Sequence, residues 1–284
     1  MKARSIVDSL NQRTMSSVVD EYSAIATESL GIAETNALAS IVSKVRNKRI
    51  LDIGVGAGRT VPGLREISAD YVGVDYVQEM VDHCRSKFPG VRFEKADARS
   101  MPQFADRSFD LIVFACNGIS MVDHEGRLAI LKEVRRLLAP GGFFVFSTCN
   151  RNSPEHRELF TLPKLPRTSD PVRFVVRALR FLAQTAYRLL NRLRYKKHEV
   201  SADEYAIVND VAHHYRTMLY FITLAAQRQQ LKAMGFDYDA PAYDLRGNLV
   251  VDDSADGTLT LVASPAALHG DASSFRQSSE NAPS

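Results

Sequence analysis

An apolar run that ends in a cluster of glycines constrains this chain more than any other feature. The run RILDIGVGAG spans residues 49–58, and its glycines are Gly54, Gly56 and Gly58. A buried strand, a glycine-rich turn and a helix together form the first unit of a parallel α/β sheet. Glycine lets the backbone turn tightly and come close to a ligand at the carboxyl end of the strand. The sequence therefore predicts a ligand site at this turn.

Strands and helices continue to alternate after the turn as far as residue 150. Strands are predicted at 71–76, 91–98, 109–116 and 142–150, with helices at 77–88 and 126–142. This alternation predicts a doubly wound parallel sheet with right-handed crossovers. The pattern stops at residue 151 and resumes as a helix over 223–236. Two final strands, 236–245 and 257–265, predict an antiparallel hairpin at the sheet edge.

The same pattern divides the chain. One domain is expected over residues 1–268, with an insertion at about 151–222, and two helices, 16–30 and 34–45, are predicted before the glycine turn. The Ser-rich residues 269–284 are predicted to form a disordered tail.

Composition excludes several classes of protein. The chain has 284 residues with 36 Lys and Arg against 33 Asp and Glu, and a net charge of +3 does not by itself indicate a nucleic-acid partner. The three cysteines, Cys84, Cys116 and Cys149, form no C-x-x-C pair, so neither a disulfide framework nor a metal site is predicted. Without a secretory apolar region or a long apolar span, a cytoplasmic location is expected.

Three carboxylates stand where the predicted strands end. Asp52 precedes the first glycine, in a G-x-G-x-G turn that differs from the dinucleotide G-x-G-x-x-G pattern. A carboxylate repels a pyrophosphate but attracts the ammonium and sulfonium groups of S-adenosylmethionine (SAM), which disfavours a nicotinamide-dependent oxidoreductase. Asp75 can accept hydrogen bonds from ribose hydroxyls, and Asp97 can accept one from an adenine amino group.

Four motifs in order resemble the class I SAM-dependent methyltransferases. They are LDIGVGAGRT, GVDYVQEMV, FEKADARSMPQFADRSFDLIVFACNGIS and LKEVRRLLAPGGFFVFST. The resemblance covers roughly residues 35–150, and more loosely the helix and two strands after residue 223. It implies a Rossmann-like, seven-stranded doubly wound sheet with an antiparallel edge hairpin and an inserted helical lid. It also implies SAM as the cofactor and methyl transfer as the activity.

The resemblance also implies residue roles. Asp52 and the three glycines would hold the methionine end of SAM, and Asp75 would hold the ribose. Arg59 would bind a carboxylate of cofactor or acceptor, or would simply be solvated. The remaining implied cofactor residues are Tyr76 and Met80 at the adenine face, Asp97 and Ala98 at the adenine amino group, Cys116 and Asn117 near the sulfonium, and Tyr22 of the N-terminal helix over the cofactor.

The absence of motifs found in nucleic-acid and protein methyltransferases narrows the class of methyl acceptor. Residues 116–120 read CNGIS, where base-amino methyltransferases of nucleic acid carry an Asn/Asp-Pro-Pro-aromatic string, and no Pro-Cys nucleophile or paired-glutamate loop occurs. The N-G-I-S string resembles small-molecule enzymes, including the glycine N-methyltransferase type. We therefore expect methylation of an oxygen or nitrogen of a small molecule, with nucleic acid disfavoured. A SAM-binding regulator without catalysis is the alternative of another class.

The insertion contains a strongly basic segment. Residues 171–197 have helical apolar spacing, many Arg and Lys, and no Asp or Glu. A lid helix with a solvated basic face is the favoured interpretation. A site for an anionic or lipophilic acceptor, a membrane-surface contact and an RNA surface remain open, so an RNA or lipid-surface methyltransferase is the alternative function.

Three candidate proton acceptors follow that segment. His213, His214 and Tyr215 are expected on a strand that faces the acceptor, where a His or Tyr can take a proton from a hydroxyl or amine. Adjacent strand residues point to opposite faces, so His213 and His214 are not expected to face the pocket together. His214 and Tyr215 are favoured, although a structural role remains open for each histidine.

Overall fold

The structure is a computed structural model that describes residues 5–19, 22, 29–154, 162 and 170–266. The helices are α1 (Ile6–Ser16), α2 (Ile32–Ala39), α3 (Val42–Val45), α4 (Val61–Ile67), α5 (Gln78–Lys87), α6 (His124–Leu137), α7 (Pro171–Tyr195) and α8 (Leu224–Ala233). The strands are β1 (Ile50–Ile53), β2 (Tyr71–Asp75), β3 (Arg92–Lys95), β4 (Phe109–Phe114), β5 (Leu138–Asn150), β6 (Val200–Ser201), β7 (Tyr205–Asp210), β8 (Thr217–Ile222), β9 (Ala242–Tyr243), β10 (Leu249–Val250) and β11 (Thr258–Ala263). The predicted tail and most of the predicted helix 16–30 lie outside the described residues.

A mostly parallel sheet forms the centre of the fold, in the order β10-β9-β11-β5-β4-β1-β2-β3. Strands β1 to β5 pair in parallel, whereas β11 is antiparallel to both β5 and β9. The doubly wound sheet and its antiparallel edge are therefore confirmed. Asp52 pairs with Gly73 of β2 and Val113 of β4, so the carboxyl ends of these three strands meet at one edge.

The number of strands differs from the prediction. Over the described residues the sheet has 11 strands, so the expectation of seven is wrong. The insertion is the main reason, because it contributes β6, β7 and β8 in addition to a helix. Strand β8 pairs in parallel with Cys149 and Asn150 of β5, beyond the last β4–β5 pair at Phe114 and Phe146. The three added strands thus extend the sheet past the carboxyl end of β4.

Alternate residues of the central strands pack into apolar clusters on opposite faces of the sheet. Leu51 and Ile53 of β1 belong to one buried apolar cluster, and Ile50 belongs to another on the opposite face. Helix α6 covers the first face with Ile130 and Leu131. Burying each such side chain contributes about 1.5–3 kcal/mol, and this two-sided burial is what holds the strand ends in place.

Helix α1 joins the sheet to the insertion. The Asn11 side-chain amide donates to the carbonyl of Met121 (2.7 Å), which follows β4, and to the carbonyl of Met218 (2.8 Å) in β8. Thr14 donates to the carbonyl of Arg216 at 2.7 Å. The sequence analysis placed no helix here, because its predicted N-terminal helix begins at residue 16.

Candidate active site

The glycine turn after β1 adopts a backbone that favours glycine. Gly54, Gly56 and Gly58 have φ values of 65°, 53° and 84°, in the left-handed region. A Cβ on Gly54 would lie 2.7 Å from the Phe114 ring, and one on Gly58 would lie 2.4 Å from the Phe88 ring. The turn therefore has no room for side chains at these two positions and keeps its backbone close to the strand ends.

Asp75 ties this turn to the end of β2. Its Oδ2 accepts the backbone N–H of Gly56 and its Oδ1 accepts that of Val77, each at 2.9 Å. The side chain is buried, and burial raises the pKa of Asp75. Each oxygen retains a second lone pair, so the carboxylate can still accept hydrogen bonds from ribose hydroxyls.

Asp52 lies buried at the end of β1. Its Oδ2 accepts hydrogen bonds from the hydroxyls of Thr60 (2.5 Å) and Tyr71 (2.8 Å). Burial raises the pKa of Asp52 to about 6, since the hydroxyls offset only part of the lost hydration. A cationic ligand group near the turn would favour the ionised carboxylate, so the residue fits the methionine end of SAM electrostatically.

Arg59 and Cys116 come together across the turn. The guanidinium donates to both carboxylate oxygens of Glu34 (2.8 and 2.6 Å), to the carbonyl of Ser29 (2.8 Å) and to Cys116 Sγ (3.0 Å). The sequence analysis missed Glu34, because nothing in the α2 segment indicates that it reaches the turn. A role of Arg59 toward a cofactor or acceptor carboxylate stays a prediction.

A pocket opens beside these strand ends. Its lining residues come from α1, from the ends of β2, β3 and β4 and the segments that follow them, and from the middle of α6: Asp8, Gln12, Tyr76, Asp97, Ala98, Arg99, Phe114, Gly118, Met121, Val122 and Ile130. Three predicted adenine-site residues, Tyr76, Asp97 and Ala98, are thus brought together. Met80, the fourth, is buried on α5.

Arg99 is a pocket residue that the sequence analysis missed. It donates to Asp97 Oδ1 (2.9 Å) and Oδ2 (2.6 Å) and forms an ion pair with Asp8 of α1. Burial raises the pKa of Asp8 despite this neighbour. The contact places α1 at the pocket rim, which no local sequence pattern could have indicated.

The chain turns sharply where β4 ends. Cys116 and Asn117 have φ values of 52° and 57°, a strained backbone for residues other than glycine. Asn117 donates through its backbone to Ser147 Oγ (2.7 Å) and through its side chain to Thr258 Oγ1 (2.9 Å). Its Oδ1 is buried and accepts no hydrogen bond from the described part of the chain.

The three predicted proton acceptors lie in a turn and not on a strand. His213, His214 and Tyr215 have φ values of 49°, 59° and 61°, between β7 and β8. The expected strand is therefore wrong, and the rule of opposite faces does not apply. The Asn209 side chain holds the turn by donating to the carbonyls of Tyr215 (3.0 Å) and Thr217 (2.9 Å).

Each of the three has a different environment. His213 Nε2 lies 3.2 Å from the hydroxyl of Tyr22, which brings a predicted base and a predicted cofactor residue together. The backbone carbonyl of His214 accepts a hydrogen bond from Asn191 of α7. Tyr215 is buried, with the Arg188 guanidinium 5.4 Å from its ring centre. A catalytic role for each of them stays a prediction.

An aromatic stack joins the insertion to the start of α6. The His124 ring lies 4.3 Å from that of Tyr205, and its Nδ1 is 2.8 Å from the hydroxyl of Tyr220. Burial, and then the nearby Arg127, lower the pKa of His124, which favours the neutral imidazole. A neutral imidazole can accept a proton.

Arg127, in α6, is fully buried among neutral groups. Its guanidinium donates to Thr148 Oγ1 (2.9 Å), to Gln230 Oε1 (2.9 Å), to the carbonyl of Ile119 (3.1 Å) and to Gln227. Burial lowers the pKa of Arg127 to about 10. The sequence analysis missed it, since an arginine in an amphipathic helix is normally assigned to the solvent side.

The comparisons with known proteins agree with this geometry. Residues 50–142 match the family model described as a methyltransferase domain. A demethylmenaquinone methyltransferase of Chlorobaculum parvum is 34% identical over 98 residues, 34% of this chain and 39% of that protein. A fatty-acid O-methyltransferase of Mycolicibacterium smegmatis is 32% identical over 107 residues, 36% of this chain and 38% of that protein. The chain thus matches less than half the length of these relatives.

Solved structures extend the likeness over most of the chain. The CcbJ methyltransferase of Streptomyces caelestis covers 90% of this chain and 98% of its own, with a TM-score of 0.57 and 18% identity. A Thermotoga maritima SAM-dependent methyltransferase, described as a possible histamine N-methyltransferase, covers 89% and 98%, with a TM-score of 0.54 and 18% identity. At such identities the likeness shows the fold. Residues 50–142 therefore match a methyltransferase domain, and most of the chain shares the fold of SAM-dependent methyltransferases.

Proposed function

We propose that this chain transfers the methyl group of SAM to an oxygen or nitrogen of a small, lipophilic acceptor. The observation that carries the proposal is the pocket at the strand ends. There Tyr76, Asp97 and Ala98 lie together, next to a glycine turn tied to Asp75. The matched relatives include methyltransferases named for demethylmenaquinone, for fatty acids and for phthiotriol dimycocerosates, which supports an apolar acceptor.

The residues of the chain divide the work of binding. Asp75 would hold the ribose, the backbone of the glycine turn would approach the methionine end, and Asp52 would favour a cationic group there. SAM supplies a methyl group on a sulfonium, which is already a good leaving group. The protein is therefore required mainly to align the acceptor and exclude water.

Helix α1 and the insertion are the elements that can cover the acceptor. Asp8 and Gln12 of α1 line the pocket, and Asn11 on the same helix hydrogen-bonds to β8 of the insertion. The curated matches cover little more than a third of the chain. We therefore expect contacts with α1 and the insertion to determine which acceptor this chain selects.

The transfer is tested with methyl-tritiated SAM and a source-cell extract divided into small molecules, lipids, protein and RNA. Label is expected in the small-molecule or lipid fraction, and mass spectrometry of the labelled species identifies the acceptor. At a SAM concentration near the wild-type Kd, Asp75→Ala should strongly reduce labelling, whereas Asp70→Ala, at an exposed carboxylate just before the same strand, should leave it unchanged. Label in protein or in nuclease-sensitive RNA would refute the acceptor class, and SAM binding without label in any fraction would favour a regulator.

His213 is our candidate for the proton acceptor. Its Nε2 lies 3.2 Å from the hydroxyl of Tyr22, a predicted cofactor residue, whereas the Tyr215 side chain is buried. His213→Gln is expected to lower kcat at least tenfold and to shift the pH–rate profile, with little change in SAM affinity. His214→Gln is the matched control in the same turn. Equal losses in the two variants would indicate a structural role for the turn.

A further inference from the structure

The long helix of the insertion turns its apolar side away from the protein. At about 100° per residue, Arg177, Phe181, Thr185, Arg188 and Arg192 share one side of α7, and each is at least partly buried. The opposite side carries large apolar residues that are 45–72% exposed: Val172, Val175, Val176, Leu179, Leu182, Leu189, Leu190 and Leu193. We call these eight residues the apolar stripe.

Specific polar contacts fix this orientation. Arg192 forms an ion pair with Glu199, and the guanidinium groups of Arg188 and Arg192 lie 5.4 and 5.9 Å from the ring centre of Tyr215. Asn191 donates to the carbonyl of His214 at 3.0 Å. Rotating the helix to bury the stripe would break all of these contacts. The exposed stripe is therefore a built feature of the protein.

A continuous exposed apolar surface on a folded protein marks a site of interaction. The charge around the stripe indicates what kind of surface it meets. Arg173, Arg180 and Arg194 are exposed along one border, Lys196 and Lys197 follow the helix, and residues 171–197 contain no acid. An apolar stripe bordered by cations is the pattern of a helix that lies in the interface of an anionic membrane.

A basic cleft at the carboxyl end of α7 adds a second, independent observation. Arg13 of α1, Arg194, Lys197 and His198 line it, together with the apolar side chains of Ile6 and Leu10. Cationic and apolar groups in one cleft match the chemistry of an acidic lipid head group and the first carbons of its chains. Because Arg194 also borders the stripe, the cleft and the stripe lie side by side.

We propose that α7 is an interfacial helix that lies flat on an anionic lipid surface, with its apolar stripe among the acyl chains and the basic cleft at the head groups. Two copies of the chain facing each other through this surface would bring like charges together, and RNA would leave the leucines without a partner. No helix in the described ranges is long and apolar enough to cross a membrane, so the contact is with the surface. The proposal is independent of methyl transfer.

The chain contains no Trp, so an introduced one reports its own environment. Leu182→Trp places the probe in the stripe. Val251→Trp, at a 70% exposed position near β10, is the matched control. With vesicles of phosphatidylcholine containing a third phosphatidylglycerol, the Leu182→Trp emission should shift to the blue and resist iodide quenching. Neither effect should occur with Val251→Trp or with pure phosphatidylcholine. An unshifted Leu182→Trp spectrum on anionic vesicles would overturn the proposal.

A second experiment measures partitioning by vesicle sedimentation. The stripe variant, Leu179→Gln with Leu182→Gln and Leu190→Gln, should bind anionic vesicles at least tenfold more weakly than the wild type. The control, Leu245→Gln with Leu249→Gln and Val251→Gln, removes exposed apolar groups elsewhere and should bind as the wild type does. Arg173→Gln with Arg180→Gln and Arg194→Gln should weaken binding about fivefold per charge.

Circular dichroism melting confirms that each variant is folded, so that lost binding reports the surface. Two results would identify another occupant and overturn the proposal. One is a lipid-free dimer that the stripe variant converts to a monomer. The other is tight RNA binding by a wild-type protein that ignores the vesicles.

Discussion

Helices α6 and α7 are both amphipathic, arginine-rich and capped by an aspartate, yet they face opposite ways. Asp123 caps α6 through Gly126, and Asp170 caps α7 through Val172 and Arg173. Helix α6 buries Leu131 and Leu137 against the sheet, whereas α7 exposes its leucines and turns arginines toward the protein. An amphipathic pattern therefore predicts that a helix forms, while the surface it meets decides which side is buried.

The surfaces under the two helices explain the contrast. Helix α6 packs against apolar side chains of the sheet, such as Phe144. The β7–β8 turn presents polar and aromatic groups to α7: the carbonyl of His214 accepts from Asn191, and the Tyr215 ring lies near the Arg192 guanidinium. The Glu199 carboxylate forms an ion pair with the same arginine. The buried charges differ as well, because Arg192 has a carboxylate partner and the partners of Arg127 are neutral.

The largest expected effect separates the leucines of the two helices. Leu131→Ala in α6 removes a fully buried side chain and should lower the free energy of unfolding by about 2–5 kcal/mol. Leu190→Ala in α7 should change it by less than about 0.5 kcal/mol. Urea denaturation measures both. Similar losses would mean that α7 packs against the protein through its stripe.

The buried arginine supplies the next prediction. Arg127→Leu leaves the buried acceptors of Thr148, Gln227 and Ile119 without their donor, and should cost about 2–4 kcal/mol of unfolding free energy. Arg180→Leu, exposed on α7, should cost about 0.5 kcal/mol or less. A neutral Arg127→Leu would show that the cost of burying the charge cancels its hydrogen bonds.

The buried carboxylate of Asp52 should make the free energy of unfolding depend on pH. Its pKa in the folded protein is about 6 against a reference value of 3.8, so ionisation opposes folding. As pH rises from about 4 to 6, the wild type should lose about 2 kcal/mol relative to Asp52→Asn, and the difference should disappear below pH 4. Urea denaturation at pH 4 and 7.5 measures this. Asp110→Asn, at a partly exposed residue, is the control for the removal of one carboxylate.

The smallest effect concerns the cofactor. Asp75→Ala should weaken SAM binding by about 1–3 kcal/mol through lost hydrogen bonds to a carboxylate. The stripe variant of α7 should leave SAM affinity unchanged. Isothermal calorimetry compares the two, and weaker SAM binding by the stripe variant would show that the insertion takes part in the cofactor site.

The sequence analysis predicted that Asp52, Asp75 and Asp97 lie where strands end, because the signals for these positions are local. A glycine turn, or an aspartate at the end of a buried strand, is recognised from fewer than ten consecutive residues. The parallel register of the strands then brings Asp52, Asp75 and Asp97 to one edge of the sheet. The partners of these carboxylates were missed, since Thr60 and Tyr71 reach Asp52 only after the strands pair. Arg99 meets Asp8 only because the fold brings α1 to the segment that follows β3.

The insertion was less predictable because its structure depends on distant contacts. The alternation in β7 and β8 is short, and its pairing with β5 depends on only two residues, Cys149 and Asn150. The left-handed turn at His213–Tyr215 contains no glycine and depends on hydrogen bonds from Asn209. The orientation of α7 depends on Glu199 and on the carbonyl of His214, which no helical pattern within residues 171–197 can reveal.

The position of α1 has a thermodynamic consequence. Its Asp8 and Gln12 line the pocket at the strand ends, while Asn11 and Thr14 donate hydrogen bonds to the insertion. The same helix therefore contacts both the pocket and the insertion. If SAM binds in this pocket, any coupling free energy between SAM binding and engagement of the insertion must be equal in the two directions. If the affinity for SAM rises when the insertion is engaged, engagement of the insertion must tighten by the same factor when SAM is bound.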